Sequence, residues 1–179
     1  MKETISRSLL AKLKQKTPSL FKKAEYQILC NIMAKACGVR TKNVLFMSEE
    51  KALESYALFT RQYMEAGIAD PEKIYASAYE TGRKIAEITG LKSNAEKQEL
   101  IFYLYRNIEI EMNGHLPGDI RIPVCYFSKI YSKEQCTLMS NADAGIIAGI
   151  YGSGRLSFSE RLTEGCAMCR ASFTQEKSL

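Results

Sequence analysis

The sequence contains a single histidine, His115, only four prolines and no long run of apolar residues. A single histidine excludes any metal site built from several imidazoles. No stretch approaches the roughly 20 apolar residues that a membrane-spanning helix requires. The N-terminal residues carry charge among their apolar positions, which is not typical of an export signal. We therefore expect a cytoplasmic protein that has no membrane partner and keeps its six cysteines as thiols.

The composition is that of an ordinary globular protein. Hydrophobic residues make up 46% of the chain and charged residues 25%, which excludes wholesale disorder and collagen-like repeats. The length of 179 residues is close to the usual size of one domain, and no low-complexity linker interrupts it. We expect a single domain over residues 1–179.

The net charge of +5 is concentrated near the N-terminus. Residues 1–42 contain ten lysines or arginines against only Glu3 and Glu25. Because these cations alternate with apolar residues at helical spacing, they predict a solvated helix face and no nucleic acid partner. The alternative that this basic segment belongs to an interaction module stays open as a functional hypothesis.

Residues 1–106 have the apolar period of three to four that is typical of amphipathic helices. A first helix is predicted over residues 5–13, before the interruption at Thr17-Pro18. Four further helices are predicted where a capping residue precedes an apolar stripe. They begin at Pro18 or Ser19, after Ser48, after Asp70, and at Ser93 or Asn94.

Residues 107–174 have a different pattern, because apolar residues there alternate with polar ones as in a half-buried strand. The alternation predicts a hairpin whose second strand contains Pro123, at a sheet edge or beside a bulge. A capping box at Ser132 predicts a helix through Ile150, and residues 155–173 read as a second hairpin. The predicted fold is α+β, with a helical N-terminal half packed on a C-terminal antiparallel sheet of about four strands and an inserted helix.

The cysteines and the histidine give only weak signals of a reactive or metal site. Cys166 and Cys169 form a CxxC pair, but structural zinc requires four ligands. Adding Cys125 and Cys136 gives a spacing that matches no known zinc ribbon, so we predict free thiols and no metal. A dyad of Cys125 with His115 would need a sharp bend or a second subunit, since a straight strand separates them by roughly 20 Å.

Asp143 is the most informative acid of the sequence. The predicted helix places it among apolar residues that include Met139, Ala142 and Ile146. Its carboxyl either faces apolar surroundings, where ionisation costs more, or lies on the solvated face of the helix. Both interpretations stay open. No glycine-rich phosphate loop lies between a strand and a helix, so we predict no nucleotide cofactor.

The second half of the chain resembles the L-2-amino-thiazoline-4-carboxylic acid hydrolase family over residues 107–174. The resemblance rests on an alternating strand that ends in a cysteine, a helix that carries an aspartate, and a final hairpin that contains a cysteine. These are the segments Asp119-Ile-Arg-Ile-Pro-Val-Cys125, Glu134-Gln-Cys-Thr-Leu-Met-Ser-Asn-Ala-Asp143 and Gly165-Cys-Ala-Met-Cys169-Arg-Ala-Ser-Phe173. The resemblance implies hydrolysis of a small cyclic isothiourea or amidine, with no cofactor or with assistance from a metal ion.

The same resemblance implies roles for five residues. Asp143 would hold the N–C–N edge of the substrate or act as the base toward water, and Cys125 would attack as a thiolate or protonate the departing atom. Arg121 lies four residues before Cys125, hence on the same face of a regular strand, and would bind a substrate carboxylate or promote the thiolate. Cys169 would line the pocket with Ser140, which stands where the family has a helix cysteine.

A non-catalytic sensor or carrier of small molecules is the alternative hypothesis. The Gly-x-x-x-Cys ending also resembles the terminal strand of 4-vinyl reductase-type ligand-binding domains, in which an α+β shell encloses an apolar ligand. The sequence leaves a homodimer open as well. Aromatic residues that would line such a cavity are Tyr103, Tyr105, Tyr126, Phe127 and Phe158.

Overall fold

The computed structural model describes residues 18–176, and this part of the chain is α+β. Four helices precede the sheet strands, and a fifth lies between the second and third strands in chain order. The helix predicted over residues 5–13 lies outside the described residues. The helices are α1 (Pro18–Cys37), α2 (Glu49–Glu65), α3 (Pro71–Thr89), α4 (Asn94–Asn107) and α5 (Lys133–Tyr151); the strands are β1 (Ile110–Gly114), β2 (Gly118–Cys125), β3 (Arg155–Glu160) and β4 (Cys169–Thr174).

The predicted capping residues begin four of these helices. Ser48, Asp70, Ser93 and Ser132 each accept a hydrogen bond from a backbone N–H group in the first turn of the helix that follows. A first-turn N–H has no carbonyl partner within its own helix, so each cap satisfies a donor that would otherwise lack one. The helix starts of α2 to α5 are therefore confirmed. None of the helices in the described range has the length and apolar content that a bilayer crossing needs.

The four strands form one antiparallel sheet in the order β1-β2-β4-β3. Between the pairs Asn113 with Arg121 and Glu111 with Val124, β2 contains one residue more than β1. This irregularity is the bulge that Pro123 predicts, because proline has no N–H to donate to the ladder. It turns the end of β2, so that Cys125 pairs with Ile110 on the buried face of the sheet.

Helices α3 and α5 pack with their backbones in direct contact. A Cβ atom added at Gly82 would collide with the carbonyl oxygen of Ile146, and one added at Gly149 with the carbonyl oxygen of Tyr79. Only glycine permits so close an approach of two helices. The contact fixes α5, which carries Asp143, against the helical half of the molecule.

Candidate functional site

A cavity of about 550 Å³ lies between α1, α3, α4, α5 and the start of the sheet. This volume falls within the range of small-molecule sites, which is roughly 300–1,000 Å³. The wall is formed mainly by aliphatic and aromatic side chains. Of the described residues, the charged ones in the wall are Glu25 and Asp143, and no lysine, arginine or histidine lines it.

Asp143 is half-buried, and its side chain lines this cavity. The hydroxyl of Tyr105, on α4, donates a hydrogen bond of 2.8 Å to Asp143 Oδ1. Burial raises the pKa of Asp143 to about 6, although the Tyr105 hydrogen bond and the positive charge of Arg161 act in the opposite direction. Of the two interpretations of the sequence, the structure therefore supports the one with apolar surroundings.

Cys125 also lines the cavity, at the end of β2. Burial raises the pKa of its thiol to about 12, and the nearby charge of Asp143 adds to this effect, while backbone hydrogen bonds from Phe127 and Ser128 oppose it. The thiol is therefore protonated at neutral pH. This state disfavours a thiolate nucleophile, since a reactive cysteine needs a lowered pKa.

The protonated state of Cys125 predicts slow alkylation. At pH 7.5 we expect iodoacetamide to modify Cys125 at least about a hundredfold more slowly than it modifies glutathione, because the thiolate is the reactive form. Peptide mapping by mass spectrometry after timed quenching measures this rate. Modification of Cys125 as fast as glutathione would contradict the assigned protonation state.

Arg121 does not reach the cavity, and the prediction that it shares a strand face with Cys125 is wrong. The bulge in β2 places Arg121 on the exposed face, where it pairs with Asn113 of β1 and Arg170 of β4. Cys125 faces the other way because the extra residue reverses the alternation of the strand.

Two further predicted residues lie near the cavity but are absent from its wall. The Ser140 hydroxyl donates to the carbonyl oxygen of Cys136, 2.9 Å away, which is a bond within its own helix. Cys169 is buried on β4, where its sulfur accepts a hydrogen bond from the backbone N–H of Leu162 at 3.3 Å. Burial raises the pKa of Cys169, the hydrogen bond from Leu162 opposes this effect, and the charge of Asp143 adds to it.

Aromatic rings surround the cavity end that contains Asp143. Phe127 stacks on Tyr131 with 5.4 Å between ring centroids, and it packs perpendicular to the ring of Tyr56 with 5.6 Å between centroids. The hydroxyl of Tyr131 shares a short hydrogen bond with Thr60. Of the aromatic residues predicted to line a ligand cavity, the wall includes Tyr105 and Phe127 and does not include Tyr103, Tyr126 or Phe158.

Sequence reasoning missed Glu25, a buried acid on α1 that lines the cavity. Its Oε2 accepts a hydrogen bond of 2.9 Å from the side-chain amide of Asn107. Burial raises the pKa of Glu25 to about 8, and the Asn107 hydrogen bond and the charge of Lys22 only partly offset it. The group is thus mostly protonated at neutral pH. Nothing in the local sequence distinguishes Glu25 from a surface acid.

Arg161 is the second residue that the sequence does not indicate. It follows β3, and its guanidinium lies over the ring of Phe158 at 4.4 Å from the centroid. Its buried Nε has no hydrogen-bond partner within residues 18–176. Its positive charge lowers the pKa of Asp143, Cys136 and Cys169, although Arg161 is not one of the residues that line the cavity.

The thiols of the protein do not assemble into a metal site. All six cysteines are unpaired. Across residues 18–176, no three side chains of histidine, cysteine, aspartate or glutamate converge in an arrangement that could hold a metal ion. Cys136, which also lines the cavity, has a pKa raised by burial.

The cavity is therefore a mostly apolar chamber that contains two carboxyl groups: Asp143 among aromatic rings, mostly ionised at neutral pH, and Glu25 on α1, mostly protonated. Comparison with known proteins adds no assignment to this site. No protein-family model matches the chain, and no curated protein matches it.

Proposed function

We propose that the protein hydrolyses a small cyclic amidine or isothiourea bound in this cavity, with Asp143 as the central group. The observation that carries the proposal is a carboxyl that faces a ligand-sized cavity with a pKa near 6. Such a group is mostly ionised at pH 7 and yet accepts a proton readily, as a general base must. The resemblance of residues 107–174 to the thiazoline hydrolase family supports the same class of reaction.

The reaction consists of addition and elimination at one carbon. Water adds to the carbon between the two heteroatoms while Asp143 accepts a proton from it, and a tetrahedral intermediate forms. The bond to one ring heteroatom then breaks, and this heteroatom takes up the proton held by Asp143. The hydroxyl oxygen forms the new carbonyl group and gives its proton to the remaining nitrogen or to solvent. Alternatively, Asp143 holds the two N–H groups of an amidinium through parallel hydrogen bonds, the inverse of an arginine–carboxylate fork.

Tyr105 and Cys125 support Asp143 in this scheme. Burial and the charge of Asp143 raise the pKa of Tyr105 well above its ordinary value, so its hydroxyl remains a donor and holds the carboxyl in place. The protonated thiol of Cys125 is a weak hydrogen-bond donor and not the nucleophile. The attacking group is therefore water.

The cavity wall also favours particular substituents on the substrate. A substrate carboxylate would need a cation, yet the described residues contribute none to the wall and Arg121 lies on the outer face of the sheet. We therefore expect an amidine without an anionic substituent to be a better substrate than 2-amino-thiazoline-4-carboxylate.

A sensor or carrier without catalysis is the second candidate. It is favoured by the largely apolar wall along α1, α3 and α4 and by the protonated state of Cys125. Binding without turnover would then be the whole activity of the cavity.

Incubation with 2-amino-2-thiazoline and with its 4-carboxylate, with and without added divalent metal, tests the proposal. Substrate loss and new free thiol are followed separately, because thiol release reports cleavage of the carbon–sulfur bond. We expect the protein to hydrolyse at least 2-amino-2-thiazoline, which has no charged substituent. Intact substrates after prolonged incubation at high protein concentration would contradict hydrolysis and favour the carrier.

The rate of this hydrolysis should depend on pH through Asp143. Since the base must be unprotonated, kcat/KM is expected to fall about tenfold per unit below pH 6 and to level off above pH 7. Among the described residues, Arg161 is the charged neighbour that lowers this pKa, while the surrounding tyrosines and cysteines stay neutral. A profile that is flat from pH 4 to 8 would exclude Asp143 as the base.

A further inference from the structure

Among residues 18–176 no cation is in direct contact with either carboxyl group of the cavity, although the charges of Lys22 and Arg161 lower the pKa of Glu25 and of Asp143 from further away. No lysine or arginine of this range forms an ion pair with either of them. One oxygen of Asp143 accepts from Tyr105 and one oxygen of Glu25 accepts from Asn107, and in the described part of the chain the second oxygen of each has no donor. Glu25 is mostly protonated at neutral pH, whereas Asp143 is mostly ionised, so a cation brought by a ligand would stabilise the site through the charge of Asp143.

The rings next to Asp143 are suited to the same kind of head group. Tyr56, Tyr105, Phe127 and Tyr131 all line the cavity, and three of them form one packed cluster. The faces of such rings attract organic cations, and aromatic cages beside a carboxylate are a general means of binding them. A carboxylate head group would instead meet the ionised Asp143, and the described residues contribute no positive charge to this wall.

The rest of the cavity is an apolar groove that reaches the protein surface. Its floor and sides are aliphatic, and its mouth contains two large side chains that are poorly buried, Ile88 at 82% exposed and Ile28 at 38%. A small amidine ring would fill only the end beside Asp143 and leave this groove open. The aliphatic residues of the groove are Ile28, Leu29, Ile85, Ile88, Leu100 and Leu104.

We propose that the ligand of this cavity is an amphipathic organic cation, whose positive head lies at Asp143 among the aromatic rings and whose apolar body extends along the groove to Ile88. The inference shares its site with the proposed function and narrows the substrate class to amidinium, guanidinium or ammonium compounds with an apolar substituent. It concerns binding alone, so it can hold even where no bond is cleaved.

Binding of three simple probes to the wild-type protein at pH 7.5 tests this inference by calorimetry. The probes are n-octylguanidinium, n-octanoate and guanidinium. We expect octylguanidinium to bind at least a hundredfold more tightly than either other probe, since octanoate has the wrong charge and guanidinium has no tail. Shortening the tail from octyl to butyl should weaken binding roughly fourfold for each methylene removed.

Two pairs of variants locate the head and the tail. Asp143→Asn should weaken octylguanidinium binding at least tenfold, whereas Glu111→Gln, an acid exposed on the outer face of the sheet, should not change it. Ile88→Ser should weaken octylguanidinium several-fold and leave butylguanidinium unchanged. Leu58→Ser, which replaces an exposed leucine on α2 away from the cavity, serves as its control and should change neither.

The outcomes separate this inference from the proposed hydrolysis. If octylguanidinium binds more tightly than octanoate and guanidinium while the thiazolines stay intact, the proposed hydrolysis is wrong and the inferred ligand class stands. Octanoate binding as tightly as octylguanidinium, or no tail dependence in the wild type, would overturn the ligand class even if thiazolines are hydrolysed. The probe comparison uses only the wild-type protein, so it decides the matter even if Asp143→Asn fails to fold.

Discussion

Replacement of Asp143 by asparagine is expected to lower kcat/KM for a cyclic amidine by roughly a thousandfold, within the range that removal of a general base produces. Asparagine has the same shape, and its oxygen can accept the hydrogen bond from Tyr105. It cannot accept a proton from water and carries no charge for an amidinium. The expected loss is therefore chemical and does not require a change in the fold.

The same variant should be more stable than the wild type at pH 7. Because burial raises the pKa of Asp143 from 3.8 to about 6, the folded state binds this proton more tightly than the unfolded state does. The contribution to stability is fully present below pH 4 and is lost as the pH rises through about 6. At pH 7 the ionised carboxyl costs up to about 3 kcal/mol, which asparagine removes.

Thermal unfolding at pH 4 and pH 7 measures this effect. The variant should melt at a higher temperature than the wild type at pH 7, and the difference should disappear at pH 4. Asp119→Asn is the matched control, because Asp119 is exposed on β2 and the same chemical change there should alter neither activity nor melting. A lower melting temperature for Asp143→Asn at pH 7, or full activity, would contradict the assigned role.

Of all these substitutions, replacement of Gly82 by alanine should destabilise the protein most. We expect the free energy of unfolding to fall by at least about 3 kcal/mol, or the melting temperature by roughly 6–12 °C. The added methyl would collide with the carbonyl oxygen of Ile146, which is backbone and cannot rotate away. The helices α3 and α5 would have to separate. Since Ile146 lies one turn after Asp143, ligand binding should weaken as well.

Helix propensity alone predicts the opposite sign for Gly82→Ala, a gain of about 1 kcal/mol. The control is therefore Ala76→Gly, at an exposed position of the same helix, which should cost about 1 kcal/mol through propensity. Urea denaturation of both variants gives the two free energies of unfolding. A Gly82→Ala variant more stable than the wild type would show that the two helices are not in backbone contact.

The fold was largely predictable from the sequence because its signals are local. Ser48, Asp70, Ser93 and Ser132 indicate helix starts through caps that act within one turn. The change to alternation after Arg106 likewise reflects the side-chain geometry of strands. Pro123 predicted either an edge strand or a bulge. Because β2 pairs with both β1 and β4, it is not an edge strand, and its register with β1 shows the bulge.

The candidate site was less predictable because it depends on tertiary packing. The prediction that Arg121 shares a face with Cys125 failed because one extra residue in β2 reverses the alternation, a feature of strand pairing and not of spacing. Glu25 and Arg161 have no local signal, since only the packing of distant elements buries Glu25 and the Nε atom of Arg161. The same packing keeps the thiol of Cys125 protonated. A thiolate would need a nearby cation, whereas the neighbour of Cys125 is Asp143, which is negative when ionised.

The most direct measurement is an NMR titration of the Asp143 carboxyl in protein that contains ¹³C-labelled aspartate, with the Asp143→Asn spectrum to identify the signal. The account predicts a midpoint near pH 6, which shifts downward when n-octylguanidinium is added, because a bound cation favours the ionised carboxyl. A midpoint at or below 3.8, or a midpoint that the cation leaves unchanged, would contradict the assignment of Asp143 as the head-group site of the cavity.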